Sequence, residues 1–408
     1  MKNIIYKAFF LLPLLAFVSC QEETPGKYEM TDGVPTVHYI RYQDKDLEEQ
    51  LLEGAFMNEN IVIIGENLTS IREVWFNNVK AALNINFITK NTLFCAVPRD
   101  LPSVRTDKMY LVTGKNDTVA YDFEVKIPAP VLSRIKCEMV PEGGLAVLTG
   151  DYFLAPDLSL IHVFIGDYEV PTADIVSCEK NSIVFKAPAM DIRGAVEVKT
   201  LYGNSGRSKD IFHDDRGWIT GFEEGFVGGW GRPTHIENDP ELALMGNYVK
   251  LSGDLAAGTW VSGGNDYTIN IWGEDNGVPS GNLFPGDPAT ATLKFEVNVL
   301  QPWSGMPLIV CFFEQGYHED WLWNSDYPRA FWTPWRVNDK VVPYVTDGWE
   351  TLSIPLADCR WSAHGTAVPL ATHYGALGFS VHTFGNYDAV VGEDCSPIIL
   401  IDNIRVIP

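Results

Sequence analysis

From Val34 onward, apolar residues come in short runs broken by Gly, Pro, Asn and Asp. Lys294 to Val299 alternates polar and apolar positions, which predicts a strand with one face in a core and one in water. Leu308 to Phe313 is apolar throughout and predicts a strand covered on both faces. Helical spacing shows only over Asp46 to Leu52, for a turn or two. The pattern predicts an all-β chain.

The strand text repeats. Ile61 to Leu68 passes through Gly65, Val74-Trp75-Phe76 follows, and a third run ends at Ala96-Val97-Pro98. The same order returns as Leu145 to Phe153 through Gly150, then Val163-Phe164-Ile165-Gly166, then Lys186-Ala187-Pro188. The offset of about 85–90 residues is the size of a small β-sandwich. The expectation is that Gly supplies turn freedom in each copy and that Pro stops further ladder pairing. The repeat resembles the TIG/IPT immunoglobulin-like fold, which implies two tandem sandwiches over residues 33–128 and 129–213. Two prolines in the join, Ile127 to Val131, limit chain freedom and favour extended tandem modules.

At the amino end, Lys2 and Lys7 precede an apolar run from Ala8 to Val18 that is too short to span a bilayer, so residues 1–20 read as a signal peptide. It closes on Ser19-Cys20, which resembles a bacterial lipobox and implies lipidation of Cys20. Gln21-Glu22-Glu23 resembles the signal that sends Bacteroidota lipoproteins to the cell exterior. Residues 21–32 read as a tether. The implied location is the outer membrane, facing outward, with the lipid as the only membrane contact.

Composition divides the chain of 408 residues. Of its 12 Trp, only Trp75 precedes Trp218. The aromatic part, residues 214–408, carries Phe222-Glu223-Glu224-Gly225, Gly246-Asn247-Tyr248-Val249 and a closing Ile401 to Val406 run, which look like strands of a carbohydrate-binding jelly roll. The formal net charge of −23 excludes nucleic acid, whose phosphates need clustered Lys and Arg, and favours a neutral partner. Beyond Cys20, six cysteines remain without CxxC spacing or a His partner at zinc spacing. Cys359 and Cys395 are candidates for pairing.

Lipobox, tandem TIG/IPT-like modules and an aromatic end together resemble the surface glycan-binding protein B family of polysaccharide-utilisation systems. The resemblance implies capture of a neutral polysaccharide, such as xyloglucan, another β-glucan or a hemicellulose. It also implies work beside an outer-membrane glycan transporter complex and surface glycoside hydrolases.

Flat rings cover the C–H faces of sugars, while amides, carboxylates and guanidinium groups take the hydroxyls. Three stacked sugars with a few hydrogen bonds would give roughly 5–8 kcal/mol, a Kd from about millimolar to micromolar. The densest cluster supplies Tyr317, Trp321, Trp323, Trp332 and Trp335, with Asn324, Asp326, Arg329 and Glu319 as hydroxyl partners. Trp361, in a polar stretch, and Trp303 are further candidates. Pro334 predicts a turn that exposes Trp332 and Trp335; filling a core is the other use of such residues. Asp402 falls, on strict alternation, among Ile398, Leu400, Ile404 and Val406. A buried charge needs a partner. One reading is a structural calcium shared with Glu223 or Glu224; the other is an Asp bonded to backbone N–H or to Arg, with no cofactor.

Two other functions compete. A glycoside hydrolase needs two carboxylates about 5–10 Å apart across a cleft, and no spacing singles out such a pair. A protein-binding adhesin would place its hot spots on the immunoglobulin-like modules.

Overall fold

The computed structural model describes residues 31–223, 236–256, 268–272, 283–284, 286–313, 327–370, 375–381 and 392–408. The all-β reading holds: among the described residues the helical elements are short 3-10 turns, such as Lys45–Leu47 inside the stretch with helical spacing. The chain folds as two units, one ending at Ile127 and one spanning Pro128–Pro408.

In the first unit, Thr36–Tyr42, Asn60–Glu66 and Thr92–Ala96 form one sheet. Val79–Lys80, Ile71–Phe76, Lys108–Thr113 and Thr118–Asp122 form another. Alternation in Lys108–Thr113 buries Met109, Leu111 and Thr113. Phe76 and Phe123 meet edge to face, with centroids 5.4 Å apart.

The second unit begins with a similar sandwich, whose first sheet has four strands where that of the first unit has three. One sheet runs Val131–Ile135, Leu145–Asp151, Ser182–Lys186, Ile175–Glu179; the other runs Tyr168–Glu169, His162–Ile165, Gly194–Thr200, Gly203–Phe212. The expected glycine turns are strand positions instead. Gly65 lies inside Asn60–Glu66 and Gly150 inside Leu145–Asp151. A Cβ on either would come within 1.9 Å of a neighbouring strand's carbonyl, that of Thr36 or Val131. Each site faces a register shift in its partner strand, between Val37 and Tyr39 or between Leu132 and Arg134. Close approach of backbone, rather than turn freedom, requires glycine here.

The carboxyl-terminal part is a larger antiparallel sandwich. Its six-stranded sheet orders Ile236–Glu237, Tyr248–Ser252, Ile398–Ile407, Thr292–Val299 and Glu350–Pro355, with Trp218–Thr220 also on the closing strand. Facing it is a sheet ordered Thr268–Trp272, Ala376–Val381, Leu308–Phe313, Arg329–Trp332. Phe295, Val297, Val310, Leu377, Phe379, Ile401 and Ile404 fill the space between.

Thr292–Val299 was expected to keep one wet face; both faces are buried. The middle sandwich covers the outer one. Lys294 Nζ donates to Glu138 Oε1 (2.5 Å) and Asp210 Oδ1 (2.7 Å) of that sandwich. Arg405 donates to both carboxylate oxygens of Glu296 (2.8 and 2.9 Å) and to Glu138 Oε2 (3.0 Å). The Thr351 hydroxyl donates to Glu296 and accepts from the Glu138 amide. Trp349 packs against the middle sandwich's core, with its indole N–H on the Leu242 carbonyl (2.8 Å). These contacts make residues 128–408 one unit.

Cys95, Cys137, Cys178, Cys311, Cys359 and Cys395 are all free thiols. Cys359 sits fully buried in the large core, and the Cys395 sulfur accepts the Ser304 N–H at 3.5 Å.

Candidate glycan-binding site

Directly opposed residues of antiparallel strands point to the same face. On the four-stranded sheet, one row runs Trp361, Arg329, Cys311, Gly378. The next runs Phe331, Ile309, Ser380. This face points away from the core shared with the large sheet, because Leu308, Val310, Phe312 and Ala330 take the core side.

Trp361 stands at the edge of that face and is 41% exposed. Its backbone is fixed on both sides. Arg329 N–H donates to its carbonyl (3.0 Å) and its own N–H donates to the Arg329 carbonyl (3.2 Å). The turn after it is tied by the Ser362 hydroxyl, which accepts from the amides of His364 (3.2 Å) and Thr366 (3.1 Å). An exposed ring on a rigid backbone loses little freedom when a ligand covers it.

Arg329 corrects its expected role as an open hydroxyl partner. It is 0% exposed. Its Nε donates to the Tyr327 carbonyl (3.4 Å), and burial pulls its guanidinium below the ordinary arginine range. It supports the row beneath Trp361.

Trp335 also departs from expectation. The turn exists, with Arg336 N–H on the Thr333 carbonyl (3.0 Å), but it carries Trp335 inward to 2% exposure. Met306, with φ of 62°, accepts the indole N–H of Trp335 (3.0 Å) and that of Trp303 (3.1 Å). Trp303 is fully buried as well. A carbonyl that satisfies both N–H groups lets two large rings fill a core at no polar cost.

Trp332 is half-buried. It meets Trp303 (5.4 Å, 76°) and Tyr344 (5.7 Å, 81°) edge to face. Three residues from Arg329 on one strand, it points to the opposite side from Trp361. The two indoles therefore do not form one shelf. Tyr317, Glu319, Trp321, Trp323, Asn324 and Asp326 lie outside the described residues, as does Cys20. Trp218, 41% exposed with its ring over Gly221, was not singled out from sequence.

Asp402 does not share a face with Ile404 and Val406. Asn403 takes φ of 52° in a register shift, so Asp402 and Arg405 both point outward, opposite Glu296 and Lys294. Burial, and then the nearby Glu296 and Glu223 charges, push the Asp402 carboxyl up to about 8. Its Oδ1 accepts the Asn403 N–H (2.7 Å), while Oδ2 is buried without a partner. Glu223 Oε1 accepts the Asn247 N–H (2.7 Å). Among the described residues, no group of three His, Cys, Asp or Glu side chains converges as a metal site. Two carboxylates do not make the six to eight oxygens that calcium takes. Glu224, the other carboxylate expected beside Asp402, lies outside the described residues.

The family "Surface glycan-binding protein B xyloglucan binding domain" matches residues 212–408. The crystal structure of surface glycan-binding protein PbSGBP-B from Prevotella bryantii is 30% identical over 92% of this chain and 99% of its own, with a TM-score of 0.61. An SGBP-B from a complex xyloglucan utilization locus in Bacteroides uniformis is 15% identical over 92% of this chain and 99% of its own, with a TM-score of 0.48. An IPT/TIG domain-containing protein of Bacteroides ovatus is 26% identical over 35% of this chain; the match spans 29% of that relative's length. The sandwich order, the glycan-binding family match over the aromatic domain and the full-length likeness to PbSGBP-B agree, and the chain belongs to the surface glycan-binding protein B family.

Proposed function

We propose that this chain captures a neutral xyloglucan-type β-glucan at the cell surface without cleaving it. Ring stacking on the domain of residues 214–408 holds the glycan. Trp361 carries this reading: it is an exposed indole on fixed backbone, within the part matched by a xyloglucan-binding domain. The acidic chain suits a neutral ligand. Glu296 and Asp402 are adjacent carboxylates, but they lie buried on the opposite sheet, with Glu296 forked by Arg405. That pair is closed to substrate, which supports a non-catalytic role. The two immunoglobulin-like modules, 33–128 and 129–213, serve as spacers behind a lipid on Cys20. The captured glycan passes to an outer-membrane transporter and to surface hydrolases.

Affinity electrophoresis in xyloglucan, mixed-linkage glucan and mannan gels tests the reading. Retardation in xyloglucan, with no new reducing ends on incubation, is expected. Free migration in all three overturns the substrate class, and new reducing ends overturn the non-catalytic role. Labelled palmitate incorporated by the native chain but not by Cys20→Ala tests the anchor.

A further inference from the structure

The described part of the second unit contains an open cleft of about 400 Å³ between the middle sandwich and the carboxyl-terminal one. We infer that this cleft is a second saccharide subsite, built jointly by the two sandwiches and separate from the Trp361 face. The inference rests on the glycan-binding reading and deepens it.

One wall is largely apolar, with two aromatic rings, Trp332 and Tyr344, and Pro334 between them in sequence. Trp332 is held by its edge-to-face contacts with Tyr344 and with Trp303, itself pinned by N–H bonds to the Gly305 and Met306 carbonyls (2.7 and 3.1 Å). The ring is fixed yet partly uncovered. The facing wall is polar. Arg134 of the middle sandwich donates to Glu350 (2.9 Å) and to the Thr351 carbonyl (3.2 Å), and its side chain stays 47% exposed. Asp210 binds Lys294 through one oxygen and is 44% exposed.

A flat apolar wall opposite paired donors and acceptors matches a pyranose, which has C–H faces and a hydroxyl rim. The volume lies in the small-ligand range of about 300–1,000 Å³. The charges lining the cleft already have partners, Arg134 in Glu350, Asp210 and Glu138 in the shared Lys294, and Glu138 also in Arg405, so an ionic ligand gains little and a neutral polyol keeps every polar group bonded. The walls are preset as well. The buried contacts among Glu138, Lys294, Arg405 and Glu296 lock the two sandwiches together before any ligand arrives. The middle module then supplies part of a site and is more than a spacer.

The test is titration calorimetry of the mature full chain with a xyloglucan oligosaccharide, scored by stoichiometry. Wild type is expected to bind two per chain. Ser353→Trp, at an exposed position lining the cleft, should leave one, and Trp361→Ala should leave the other. Arg134→Ala should weaken the cleft event about tenfold with an unchanged melting temperature. A stoichiometry of one that is abolished by Trp361→Ala and untouched by Ser353→Trp and Arg134→Ala overturns the subsite and leaves the glycan reading standing. Absence of any heat with wild type overturns both.

Discussion

Glu138 of the middle sandwich and Arg405 of the closing strand meet at 3.0 Å, with side chains 3% and 0% exposed. Glu138 also holds Lys294, and Arg405 also holds Glu296. Lys294 also holds the half-exposed Asp210, so three anions and two cations meet at this boundary, with Glu138, Glu296, Lys294 and Arg405 buried. Removing one partner strands the others. Glu138→Gln should cost about 3–5 kcal/mol in urea unfolding, whereas Asp215→Asn, which breaks a half-exposed pair with Arg193, should cost about 1 kcal/mol or less. Equal losses would refute the buried network.

Asp402 should make stability depend on pH in an unusual direction. Its folded carboxyl is raised to about 8, while the unfolded group ionises near 3.9. The folded state therefore holds its proton more tightly. That contribution is full below about pH 4 and is lost as pH rises through about 8. Asp402→Asn should flatten the decline between those limits, and EDTA should leave the melting temperature unmoved. A drop with EDTA that calcium reverses would assign the carboxylate to an ion instead.

Gly65→Ala and Gly150→Ala should each cost more than about 2 kcal/mol, because the new methyl meets a backbone carbonyl that cannot retreat alone. Gly143, with φ of 77° and open space around it, should cost only about 1 kcal/mol on the same change. Chemical denaturation of the three variants ranks them.

The indoles should separate by what each loses. Trp335→Ala should cost about 3–5 kcal/mol of stability by opening a cavity. Trp361→Ala should leave the melting temperature within a few degrees and lower xyloglucan affinity tenfold or more. Reversed roles would invalidate the assignment of core and contact rings.

The strands, the duplicated sandwich and the family were legible because periodicity and motif order are local properties. The direction of the rings was not. Trp335 points inward because Met306, 29 positions earlier, turns a carbonyl toward it. Tyr344 reaches Trp332 only through topology. Asp402 was misassigned because one left-handed residue, Asn403, shifts the alternation by a step. Lys294 to Val299 showed true alternation, yet its polar face meets a neighbouring sandwich that no local pattern announces.

The thiols carry a consequence for how such a chain matures. Burial raises Cys95 and Cys311 to about 12, and Cys137 and Cys359 upward too, so none of the four offers the thiolate that oxidants attack. The fold forms no covalent staple among these groups. Its strands pair without any disulfide among these six thiols, so a reductant has no covalent link among them to break.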